Sequence, residues 1–126
     1  EVCQNIPRHS GTQGYVALQT YRRWNKNSVN LAVCDTGVGI EASIIRQYPE
    51  TCYHTTSRYI QHALYEMPRR HYGLSKVREI VQDWGGSLFI RSFNGSFLVS
   101  PDHPRGKGED CKFFPGTQVM IELSDI

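Results

Sequence analysis

The chain has 126 residues, 39% of them hydrophobic and 21% charged, the size of one domain and too apolar for a disordered one. Its 14 basic and 12 acidic residues leave a net charge of +2, without the basic excess of an electrostatic nucleic-acid binder, so no nucleic-acid partner is expected. Mean hydropathy is -0.46, and no apolar run reaches the roughly 18 residues of a membrane helix, so no membrane partner is expected within the chain.

Residues 1–9 (EVCQNIPRH) open with helical polar spacing, which Pro7 ends or kinks. Residues 14–21 (GYVALQTY) alternate like a strand. Residues 29–34 (VNLAVC) form a second strand, apolar enough at its end to be central in a sheet. A glycine turn, residues 35–39 (DTGVG), follows directly. Residues 57–67 (SRYIQHALYEM) suit a helix with Thr56 or Ser57 as N-cap and Pro68 as its stop. In residues 74–84, Leu74, Val77, Ile80, Val81 and Trp84 fall on one helical stripe, and Gly85-Gly86 supplies the C-terminal stop. Residues 87–92 and 96–100 read as strands around Asn94-Gly95, a hairpin signal. Residues 101–112 (PDHPRGKGEDCK) read as a polar loop, and 117–123 (TQVMIEL) as the last strand. This order predicts an α/β (α+β) two-layer sandwich, with a mixed, mostly antiparallel sheet and helices on one face.

Cys3, Cys34, Cys52 and Cys111 include no C-x-x-C pair, which removes zinc-ribbon and thioredoxin signatures. No signal peptide is visible, so reduced, packed thiols and a cytoplasmic location are expected. The first residue is Glu1 rather than Met, and the expectation is a single domain over 1–126 cut from a longer chain at its N-terminus.

Four short constellations carry chemistry. Asp35-Thr36-Gly37-Val38-Gly39 puts a carboxylate at the end of a buried strand, where it can accept a hydrogen bond from an exocyclic amine, with glycines that let backbone approach a flat ligand. The same residues also suit a plain Asp-Gly turn. They match a dinucleotide fingerprint as well, with Ala42 and Glu50 in place, although the hairpin order lacks the βαβ unit this needs. Glu1-x-x-x-Asn5-x-x-x-His9 places a base, an amide oxygen and a third polar group on one helix face, or is a solvated face. Arg69-Arg70-His71-Tyr72-Gly73-Leu74 opens the clearest helix, either as an anion site or as an ordinary helix start. Phe114-Pro115-Gly116-Thr117 enters the last strand as a turn that can bring a hydroxyl to a pocket.

Taken in order, these motifs resemble the GHKL ATP-binding superfamily of gyrase B-type ATPases, chaperone ATPases and histidine kinases, over residues 1–123. The run Gly73-Leu74-Ser75-Lys76-Val77-Arg78-Glu79-Ile80-Val81, ending in Trp84-Gly85-Gly86, is most similar to the histidine-kinase and anti-sigma-factor kinase branch.

The resemblance implies ATP and Mg²⁺ as cofactors. Asp35 would bind the adenine amino group, Gly37 and Gly39 would shape its pocket, and Thr117 would support the base through a water. Asn5 would bind the nucleotide and coordinate Mg²⁺, and Glu1 would be the catalytic base. Gly73 and Leu74 would contact phosphates, and residues 41–72 would be the ATP lid. It further implies a bacterial signalling ATPase or protein kinase, histidine kinase-like or anti-sigma serine kinase-like, that passes the γ-phosphate to a protein partner or to water. No Walker A motif occurs, which excludes a P-loop ATPase. The chain departs from the pattern at Pro7, two residues after Asn5, and at His71-Tyr72, where the family has a further glycine. Tyr48, Tyr53, Tyr59 and Tyr65 also make the lid segment unusually aromatic. These departures define the alternative: a degenerate, non-catalytic nucleotide-sensing or protein-interaction domain.

Overall fold

The structure is a computed structural model and describes residues 14–23, 25–66 and 73–124. The helix expected over 1–9, with Glu1, Asn5, Pro7 and His9, lies outside the described residues, as do His71 and Tyr72.

Strand β1 (Gly14–Arg23) and strand β2 (Lys26–Asp35) form a hairpin whose register runs unbroken from Gly14 opposite Asp35 to Arg23 opposite Lys26. Three helices follow: α1 (Gly39–Gln47), α2 (Thr56–Tyr65) and α3 (Leu74–Asp83). The chain closes with the long strands β3 (Ser87–Ser100) and β4 (His103–Ser124). The sheet order is β1-β2-β4-β3 and every neighbouring pair is antiparallel. The expected two-layer α+β architecture is therefore present, and the sheet of the described residues is wholly antiparallel.

Alternation along the strands decides which side is core, because successive side chains point to opposite faces. Val33, Val119 and Ile90 stand opposite one another across β2, β4 and β3, and all are buried. Leu31, Ile121 and Leu88 repeat the pattern two residues away. Onto this face α1 brings Ile40 and Ile44, α2 brings Tyr59, Ile60, Ala63 and Leu64, and α3 brings Leu74, Val77 and Val81. Ile60, Ala63 and Leu64 show the i, i+3, i+4 spacing that puts one helix stripe on a core. Thr55, rather than the expected Thr56 or Ser57, caps α2, its hydroxyl accepting the Arg58 N–H at 3.3 Å. The far face of the sheet stays open, with Met120 42% exposed.

Three expectations need correction. Asn94-Gly95 does not turn a hairpin: β3 runs straight through it, Phe93 takes φ 48 at a register shift, and the reversal falls at Pro101-Asp102. Residues 103–112 are strand rather than loop, paired with β3 through Gly95 opposite Asp110 and Leu98 opposite Lys107. Their polar composition reflects solvent exposure, not missing structure. On α3, Ile80 and Trp84 are 46% and 64% exposed, so the buried stripe narrows to Leu74, Val77 and Val81. The helix itself ends as expected: Gly85 takes φ 67 and the Gly86 N–H bonds the Val81 carbonyl at 2.9 Å, a Schellman-type stop.

Within the 41–72 span, residues 41–66 carry most of α1 and all of α2, and Ile44, Ile60, Ala63 and Leu64 are fully buried core. No helix among the described residues is long and apolar enough to cross a membrane. Cys34, Cys52 and Cys111 are free thiols.

Candidate functional site

The site grows from one row of the sheet. Asp35 ends β2 directly opposite Thr117 on β4, and Thr117 stands opposite Ser92 on β3. Period-two alternation from Val33, Val119 and Ile90 puts all three polar side chains on the helix-covered face. The strands thus continue their apolar face up to a last row that is polar. Asp35 is 8% exposed and Ser92 is fully buried.

The DTGVG segment turns the chain from β2 into α1. The Asp35 carboxylate accepts the Gly37 N–H through Oδ1 at 2.9 Å, which closes a tight turn and leaves Oδ2 unbonded to any of the described residues. Gly39 starts α1 at φ 80, a backbone state that side chains disfavour, and a Cβ there would lie 2.9 Å from the Phe93 ring. The first turn of α1 is fixed from the sheet: Ser92 Oγ accepts the Ile40 N–H at 3.1 Å. This satisfies one of the helix's otherwise orphaned donors in the absence of an N-cap side-chain bond at Val38.

Phe114-Pro115-Gly116-Thr117 is not the expected turn but lies within the continuous strand β4, and at Gly116 it packs against the DTGVG turn. Gly116 sits at φ 116, and a Cβ there would collide with the Asp35 carbonyl oxygen and come within 2.7 Å of the Thr36 Cα. Only glycine lets these two backbones touch. Ser92 Oγ also donates to the Gly116 carbonyl at 3.0 Å and lies 3.4 Å from Thr117 Oγ1. One buried hydroxyl thus joins α1, β3 and β4 at Gly116.

Of the residues expected in the site, Asp35, Gly37, Gly39 and Thr117 come together here. Gly73 and Leu74 open α3, which packs on α2, β3 and β4. Glu1 and Asn5 lie outside the described residues. Among those residues no cluster of three or more His, Cys, Asp or Glu side chains can hold a metal. Ser92 was not anticipated, although the alternation Leu88, Ile90, Ser92 places a serine at a core-facing position and is the signal that finds it.

A second polar cluster braces the C-terminus of α2. Arg58 donates both guanidinium ends to Glu66 at 3.0 Å and stacks over the Tyr53 ring at 4.3 Å. His62 Nδ1 lies 2.9 Å from Glu66 Oε2 and 2.6 Å from the Tyr53 hydroxyl. The Arg58 hydrogen bonds hold the Glu66 carboxyl below its ordinary value, and Glu66 raises Arg58 in return. Loss of solvent, then the Glu66 charge, pushes the Tyr53 hydroxyl up.

The model of one protein family, histidine kinase-, DNA gyrase B-, and HSP90-like ATPase, matches residues 1–124. No curated protein and no solved structure matches the chain.

Proposed function

Because the chain belongs to the histidine kinase-, DNA gyrase B-, and HSP90-like ATPase family, we propose that it binds Mg-ATP with the base at the Asp35–Thr117 end of the sheet and passes the γ-phosphate to a protein side chain or to water. The observation that carries this reading is the row Asp35, Thr117 and Ser92, laid by strand register against the first turn of α1. Its chemistry fits an aminopurine. Asp35 Oδ2, unbonded to any described residue, can accept from an exocyclic amine, and the glycine backbone at Gly37 lets a flat ring approach.

In this reading Asp35 orients the base and Gly37 and Gly39 keep its pocket open. Asn5 would hold the metal, which supplies charge neutralisation for the phosphates when bound. Glu1 would take the proton from the attacking hydroxyl or water. Gly73 and Leu74, at the start of α3, would meet the phosphates with backbone N–H groups. Residues 41–72 would be the lid over the nucleotide, and their described part, 41–66, carries most of α1 and all of α2. The acceptor would be a separate protein in a signalling pathway, as in the kinase branch the sequence resembles.

A second reading, a nucleotide sensor without turnover, rests on Pro7 beside Asn5 and on His71-Tyr72 before Gly73. One titration separates the levels. ATP is titrated calorimetrically into the protein with and without Mg²⁺, and into Asp35→Asn. Mg²⁺-dependent binding that weakens at least about tenfold in the variant supports the site. Equal affinity in the two proteins overturns it. Binding with neither release of phosphate to water nor its transfer to candidate acceptors selects the sensor.

A further inference from the structure

Ser92 is fully buried and belongs to none of the motifs the sequence presents, yet its hydroxyl is committed on every side. A serine hydroxyl has one proton and two lone pairs. The Gly116 carbonyl can only accept, so at 3.0 Å it takes the Ser92 proton. The Ile40 N–H can only donate, so at 3.1 Å it takes one lone pair. What remains is a single lone pair, and Thr117 Oγ1 is 3.4 Å away. Any hydrogen bond between the two hydroxyls must therefore run from Thr117 to Ser92. A Thr117 proton turned toward Ser92 in this way leaves only the lone pairs of Thr117 for a ligand. Its strand neighbour on the other side is Asp35, whose carboxylate also only accepts.

We propose that Ser92 is a specificity-positioning residue: by giving its one proton to the Gly116 carbonyl it draws the Thr117 proton away from the ligand, so that the Asp35 and Thr117 side chains both present acceptors and favour a 6-amino over a 6-oxo purine nucleotide. This rests on the nucleotide-binding reading above and adds a residue that acts through Thr117 without touching the base. The physical basis is asymmetric. A 6-amino group brings donors to Asp35 and Thr117, whereas a 6-oxo group brings an acceptor against acceptors, and an unmatched buried polar group is more costly than a matched one is favourable.

The test compares the affinities of ATP and inosine triphosphate, which differ at that exocyclic atom and in the protonation of the neighbouring ring nitrogen, for the parent, Ser92→Ala, Thr117→Ala and the double variant. The parent is expected to prefer ATP. Ser92→Ala frees the Thr117 hydroxyl to rotate and donate, so the preference falls about tenfold. In the Thr117→Ala background the same Ser92 substitution leaves the preference unchanged, because the group it acts through is gone. Ser92→Thr, which keeps the hydroxyl, retains it. Should Ser92→Ala melt below the assay temperature, Ser92→Cys, similar in size but a weak donor, replaces it with the same expectation. An unchanged ATP preference in Ser92→Ala overturns the proposal, and so does an equal fall in both backgrounds, which would mean general loosening of α1. A parent that binds ATP while Ser92 has no effect overturns only this role. A parent that binds neither triphosphate overturns the nucleotide reading and this role with it.

Discussion

At the Asp35 end of the sheet, a buried serine holds the Ile40 N–H and the Gly116 carbonyl at 3.1 and 3.0 Å, and two backbones touch at a glycine. At the C-terminus of α2, by contrast, a half-exposed carboxylate is gripped by Arg58 and His62 at 3.0 and 2.9 Å. The first arrangement uses neutral groups out of reach of solvent, so its geometry depends on shape and on a few fixed donors. The second uses charges in water, so its strength depends on ionic strength and pH. A pocket that must recognise a base needs the former. A surface that only has to finish a helix tolerates the latter.

The contrast breaks most visibly at Gly116. Gly116→Ala sets a Cβ against the Asp35 carbonyl at φ 116, and both contacting groups are backbone. Neither can rotate aside, so β2 and β4 must separate where Asp35 meets Thr117. We expect about 4 kcal/mol of destabilisation in urea unfolding, together with loss of ATP binding. A loss below about 1 kcal/mol would mean that Gly116 and the Asp35-Thr36 backbone are not held together as described.

Next in size is Leu64→Ala. Leu64 is fully buried on α2 beside Ile60 and Ala63, so the substitution leaves a cavity and costs about 2–4 kcal/mol by urea unfolding. This sharpens the comparison, because it tests whether α2 is held by its core stripe or by its charged end. If Leu64→Ala costs less than removing the Glu66 charge, the charged end is the stronger anchor and the contrast is reversed.

How much of this was legible in the sequence follows the same division. The Asp35, Gly37, Gly39 and Thr117 set was readable because each sits in a short motif with its own local signal, and motif order supplied the rest. Ser92 was not readable by motif: SLFIRS resembles any strand, and its importance comes from cross-strand register with Thr117, which pairs residues 25 apart. Asn94-Gly95 failed for a related reason. Gly95 is required because α2 starts against it: a Cβ there would lie 2.5 Å from the Ser57 nitrogen. The glycine answers a tertiary approach, not a turn, and a local rule cannot tell the two apart. The polar strand 103–112 escaped because both of its faces are largely solvated, so no alternation marks it. Ile80 and Trp84 share the α3 stripe, but the helix presents only its Leu74, Val77, Val81 edge to the sheet.

The smallest expected effect lies at Glu66, and its pH dependence has a definite sign. Arg58 lowers the carboxyl in the folded chain below the value it has when unfolded. Over the pH range between those two values the unfolded chain therefore binds more protons than the folded one, and acid favours unfolding. The contribution of Glu66 is fully present above the ordinary carboxylate range and is lost as pH falls through the lowered folded value. Because Glu66 is 44% exposed, solvent screening limits it to below about 1 kcal/mol at low ionic strength. Glu66→Gln should remove that much at neutral pH, flatten the acid limb of the stability curve, and lose its effect in about 1 M salt, where the screening length falls to roughly 3 Å. Urea midpoints of parent and variant between neutral pH and the acid limb, at low and high salt, measure all three. ATP affinity should stay within about twofold of the parent, since Glu66 shares no hydrogen bond with the Asp35 row. A Glu66→Gln protein that is equally destabilised at high salt would place Glu66 with the buried, shape-determined contacts, and the distinction between the two ends of the molecule would no longer hold.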